Sequence, residues 1–196
     1  MPLSQEQIHG LGVALNEASL LGLEVSGERR LAAATFAVLT LPQTGPPPQD
    51  ARVQFQFHGV GRLAASLRNG RWDDAKAPVE TFPLERLLEV VQSFRGLPIY
   101  GWEFFDVHDK AFSKWADRLS LDFRCSFGAS EHSIMLFQDG GDRILDICIW
   151  FDELTIHHPS GSIINIEDFI AGGKRWWDGL YAGDERVSGH GIFPAK

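Results

Sequence analysis

The chain has 196 residues, 44% hydrophobic and 22% charged, with 20 Gly and 10 Pro, a profile that excludes disorder and collagen-like repeats and suits one globular domain. A chain of this length buries about 70% of the surface its unfolded form exposes, so Cys125 and Cys148 need not be disulfide staples and no structural metal is required. The net charge of −8 without a basic cluster argues against nucleic acid and anionic lipid, and no stretch approaches the roughly 18–20 apolar residues of a membrane span.

Met1 to Gly10 lacks the basic start and apolar centre of a secretion signal, so the expected compartment is the cytoplasm. Residues 18–25 and 30–41 read as a hairpin turning through Ser26-Gly27-Glu28-Arg29. The prolines of 42–50 impose a loop. Val53, Phe55 and Phe57 alternate with Gln54, Gln56 and His58, which predicts a half-buried strand. After Gly59-Val60-Gly61, Leu63, Ala65 and Leu67 continue the alternation to the turn signal Asn69-Gly70, and 71–80 reads as loop.

The main predicted helix covers 83–94, capped by Thr81, with Leu84, Leu87, Leu88 and Val91 as its apolar stripe and Gly96 as its stop. A strand over 99–104, a polar break at 106–109 and a short helix over 112–116 follow. Four alternating runs, 119–127, 132–138, 143–151 and 154–158, predict an antiparallel meander. A short helix over 166–171 and a glycine-rich aromatic tail from about 172 complete the chain. The expected fold is therefore α+β, one domain of antiparallel meanders forming either one curved sheet or two packed sheets.

Short turns fix register. Turning the meander at Gly128-Ala129, Gly140-Gly141 and Asp152-Glu153 collects Leu121, Phe123, Ile134, Leu136, Leu145, Ile147, Ile149 and Ile156 on one dry face, with Leu136 opposite Leu145. The wet face then carries the row Arg124, Ser133, Cys148, His157, flanked by Asp146 and Glu131. An imidazole beside a thiol favours thiolate, and a guanidinium binds anions, so this face is the candidate binding site. The same row also reads as cross-strand ion pairs around a packed, unreactive Cys148, and the flanking carboxylates oppose thiolate formation.

His157 and His158 point to opposite faces of a strand and cannot share a metal. Asp106-Val107-His108-Asp109 suits a turn better than a ligand set. No metal or cofactor is expected, and no P-loop, Rossmann, G-x-S-x-G or C-x-x-C motif occurs. Trp176 and Trp177 offer a candidate aromatic surface for a sugar or a partner, although an adjacent pair of indoles is also expected to dock onto the domain.

The stretch Ala18-Ser19-Leu20-Leu21-Gly22-Leu23-Glu24-Val25, with 30–39 and Val53-Gln54-Phe55-Gln56-Phe57-His58-Gly59-Val60, resembles small β-rich bacterial proteins, some assigned as immunity proteins of polymorphic toxin systems. The resemblance covers about the first third, and Asn16-Glu17-Ala18 stands where those proteins carry His-Asp-Ala. It implies a cytoplasmic, non-catalytic protein that binds a protein partner, with the acidic surface suiting a basic one. The alternative is a small-molecule-binding protein or enzyme using the polar face of 119–158.

Overall fold

The computed structural model describes residues 2–107, 110–126 and 128–188. Its elements are α1 (Gln5–Leu15), β1 (Ser19–Ser26), β2 (Leu31–Ala37), β3 (Arg52–His58), β4 (Arg62–Asn69), α2 (Leu87–Gln92), α3 (Lys110–Ser113), β5 (Leu121–Arg124), β6 (His132–Asp139), β7 (Arg143–Phe151), β8 (Glu153–His157), β9 (Ile163–Ile164) and α4 (Ile166–Ala182). The fold is α+β with two antiparallel sheets, a five-stranded one in the order β1-β2-β3-β8-β9 and a four-stranded one in the order β5-β4-β7-β6.

The first hairpin forms as its alternation predicts, with Ser26 opposite Leu31, and β3 joins it with Phe55 opposite Ala34. Phe55 stacks edge-on against Phe36 of the same sheet and against Phe169 of α4. Phe57 meets Phe151 of the four-stranded sheet with ring centroids 4.9 Å apart, so the inner faces of both sheets bury one shared apolar core.

The predicted four-strand meander does not form. β6 and β7 make a hairpin, but β5 pairs with β4, and β8 leaves for the other sheet to pair with β3. Asp152 is the only residue between β7 and β8, too short for a hairpin, and its amide donates to His58 O. Gly59-Val60-Gly61 makes the matching crossing between β3 and β4. A Cβ on Gly59 would lie 2.2 Å from Asp152 Oδ2, so the two crossings touch. In the β6–β7 hairpin the loop spans 140–142, closed by the Gly140 amide on Arg143 O, and Asp139 pairs with Ile144. Leu136 consequently faces Ile147 rather than Leu145. The slip is an even one, so every side chain keeps its predicted face.

Three further expectations are corrected. The 83–94 helix is a 3-10 turn over Leu84–Arg86 followed by α2, and no side chain caps it. Residues 99–104 do not form a strand. They lie along the free edge of β6 with interrupted pairing, the Met135 amide donating to Phe104 O and the Asp106 amide to Ser133 O. The helix expected over 166–171 continues to Ala182, through Gly172 and Gly173.

These glycines do not end α4, because they are where it touches α1. A Cβ on Gly173 would lie 2.5 Å from Ala14 Cβ, and one on Gly10 of α1 would lie 2.6 Å from Ile170. α1 is not among the expected elements. Its start is a capping box in which Ser4 Oγ accepts the Gln7 amide and Gln7 Oε1 accepts the Ser4 amide. The glycine-rich aromatic tail expected from about 172 is in large part the second half of α4, where Trp176 and Trp177 are 1% and 7% exposed, packed with Leu41 and Val187. Trp177 Nε1 donates to Val13 O, and its ring packs on Trp102. The expected docking occurs, and the aromatic-surface reading of this pair is overturned.

Candidate functional site

Alternation along β4, β7 and β6 aims one set of side chains at the core and the other outward. The outward set of the four-stranded sheet forms rows: Arg124, Arg62, Trp150, Ser133, then Asp122, Ala64, Cys148, Met135, then Ser66, Asp146, Phe137. Four of the predicted site residues, Arg124, Ser133, Asp146 and Cys148, therefore share this face. Glu131 lies exposed in the loop before β6.

His157 does not belong to the row. It stands on β8 in the other sheet, opposite Gln54, because the crossing at Asp152 carries it away. There Thr155 Oγ1 lies 2.9 Å from His157 Nε2 and 3.0 Å from His58 Nε2, while His157 Nδ1 faces Gly161 O at 3.2 Å. The Cys148–His157 pair is thus not formed. Cys148 is 2% exposed, sealed with Ala64 and Trp115 beneath Phe112 and Leu119 of the α3 segment. Iodoacetamide is expected to leave Cys148 unlabelled in the native protein at neutral pH and to label it on unfolding, as read by peptide mass spectrometry. His157→Ala should not change its rate.

The α3 segment covers the middle of the face and leaves a recess at each end. The first, about 300 Å³, is lined by Gly61, Arg62, Arg124, Ser126, Ser130 and Trp150 among others. Arg62 and Arg124 are opposed in register on neighbouring strands, an arrangement that costs energy unless an anion bridges it. Asp122 is that anion: its Oδ1 accepts Arg62 Nε at 2.6 Å and its Oδ2 accepts Arg124 Nη2 at 3.2 Å. Burial pushes the Asp122 carboxyl up, but the two guanidinium hydrogen bonds and charges outweigh it and hold the group below its ordinary range. The Arg62 guanidinium carbon also lies 5.1 Å from the Phe112 ring centre and 4.8 Å from that of Trp150, so aromatic faces fix it in place.

The second recess, about 270 Å³, holds a buried ion pair between Arg68 Nη2 and Asp146 Oδ2. Burial raises the Asp146 carboxyl to about 6, against the opposing pull of Arg68 and Lys114. Arg68 Nε and Trp115 Nε1 are buried without a hydrogen-bond partner among the described residues. Trp72 and Tyr100 form its rim at 64% and 46% exposure. Arg118 holds the loop that carries Trp72 by donating to Ala75 O and Ala77 O.

Arg62, Arg68, Trp72 and Tyr100 are absent from the predicted site. The period of β4 does put Arg62 and Arg68 on one face, but nothing local names β5 and β7 as its neighbours. Asp106 serves the loop role expected of it: Oδ1 accepts the Ser133 amide and Oδ2 meets His132 Nδ1. His108 and Asp109 lie outside the described residues, as does Phe127. Among the described residues no group of three or more His, Cys, Asp or Glu is placed to hold a metal, and no helix is long and apolar enough to cross a membrane. Comparison with protein-family models, curated proteins and solved structures finds no match to this chain.

Proposed function

We propose that this chain is a non-catalytic binding protein that engages a basic protein partner, with Trp72 and Tyr100 as anchors. The observation that carries the reading is the placement of these two exposed aromatic side chains on the rim of one recess. Trp and Tyr are the side chains most often found at binding hot spots, and large exposed apolar groups are otherwise a solubility cost. The acidic chain suits a partner of opposite charge, which speeds encounter and selects against wrong partners. Near Tyr100 that charge is local: burial first, then the charges of Glu17 and Asp139, raise its phenol above the ordinary value. The immunity-like resemblance of 18–60 is in keeping with the same reading.

The test uses wild-type chain and the Trp72→Ala/Tyr100→Ala variant as baits in extract of the source cell, at low and high salt. A basic protein retained in stoichiometric amount by wild type, weakened by salt and lost with the variant is the expected result. Equal retention by both baits, or retention of none by either, removes the reading.

A further inference from the structure

We propose that the recess between Arg62 and Arg124 is a binding site for a small monocarboxylate. This site stands apart from the Trp72–Tyr100 rim and does not depend on it. Two cross-strand guanidiniums are held together over one carboxylate, Asp122, so one positive charge is left over in a chain whose net charge is −8. Asp122 is not part of the recess lining, which carries no acidic group among the described residues. Arg62 spends its Nε on Asp122, and its Nη nitrogens make no hydrogen bond among the described residues. Its plane is already fixed by Phe112 and Trp150, so little side-chain entropy remains to be lost when it binds.

The opposite wall supplies neutral donors. Ser126 and Ser130 converge over Gly61: a Cβ there would lie 2.8 Å from Ser130 Oγ and 3.4 Å from Ser126 Oγ. Neither hydroxyl has a hydrogen bond among the described residues. The Gly61 carbonyl cannot compete for a ligand, since it already accepts the Cys125 and Ser126 amides. Among the described residues the recess thus presents the free Nη edge of Arg62, the charge of Arg124, whose Nε and Nη2 lie on Asp122, two hydroxyls and no lining carboxylate, with an aromatic edge beside them. Guanidinium forks match the two oxygens of a carboxylate, and one surplus charge balances a carboxylate rather than a phosphate carrying about −1.5 to −2. A volume of about 300 Å³ lies at the small end of ligand pockets, which limits the ligand to a compact acid with an apolar body.

The probes are benzoate, acetate and inorganic phosphate, titrated into the full chain at constant ionic strength and followed by amide and indole NMR shifts. Benzoate should give saturable shifts at Gly61, Arg62, Arg124 and the Trp150 indole, with acetate weaker for want of the apolar body. Arg124→Gln should weaken benzoate by about tenfold or more, and Arg124→Lys, which keeps charge but loses the fork, should fall between. Arg124 is largely exposed, and a native amide spectrum confirms that each variant is folded. Shifts that do not saturate, unchanged benzoate binding in folded Arg124→Gln, or phosphate binding as tightly as benzoate would each overturn the proposal.

Discussion

Arg68→Met is expected to destabilise the protein at pH 7.5 by about 3–5 kcal/mol, because it leaves the Asp146 carboxyl buried without its counter-charge. Replacing both partners, as Arg68→Met with Asp146→Leu, should cost clearly less than the single change, since no uncompensated charge remains. The pair also has a pH signature. The folded-state carboxyl of Asp146 sits at about 6, raised above its ordinary value by burial, so folding favours its protonated form. Its contribution is fully present below the ordinary carboxylate range and is lost as pH rises through about 6. Wild type should therefore gain stability between pH 7.5 and 5, by about 1–2 kcal/mol, a gain that Asp146→Asn lacks. Asp122, held low by its two arginines, acts in the opposite sense and only at lower pH. Urea unfolding of wild type, single and double variants at both pH values reads all of this, and a double variant weaker than Arg68→Met would contradict it.

The second large effect is expected at the other end of the molecule. Trp176→Ala should cost about 3–5 kcal/mol, because the indole is 1% exposed and packs in the small cluster of Leu41, Trp177 and Val187. At this chain length that corresponds to a fall in melting temperature of roughly 10 °C. Ending the chain after Gly173 should lower the melt further, since it also removes the Trp177 hydrogen bond to Val13. A loss below about 1 kcal/mol for Trp176→Ala would mean that the cluster is not a working part of the core.

Local patterning explains much of this fold and stops at identifiable points. The alternation of Val53, Phe55 and Phe57 sets which side of β3 is buried, and the even slip at 140–142 leaves the faces of β6 and β7 as expected. What alternation cannot distinguish is a turn from a crossing. Gly59-Val60-Gly61 and Asp152 look like hairpin turns, yet each passes its strand from one sheet to the other, an outcome decided by the neighbouring crossing. His157 left the predicted row for that reason alone. Arg124, Ser133, Asp146 and Cys148 were legible as one face, whereas Arg62 and Arg68 come from β4, far earlier in the chain. α1 was hidden differently: its buried side includes Gly10, Gly12 and Ala14, so it has no strong apolar stripe, and only the Ser4–Gln7 capping pair announces it.

The glycine contact between α1 and α4 bears on how the protein is made. As the chain leaves the ribosome, α1 emerges first among the described elements and α4 last among the long ones. The face around Gly10 and Ala14 thus has no counterpart until almost everything between has been synthesised. Because the contact depends on near backbone-to-backbone approach, another greasy helix cannot stand in for α4, and the nascent strands must wait with part of their core uncovered. Such late, long-range closure slows folding and lengthens exposure to aggregation, so a short delay before α4 is complete is the interval in which chaperone occupancy matters most.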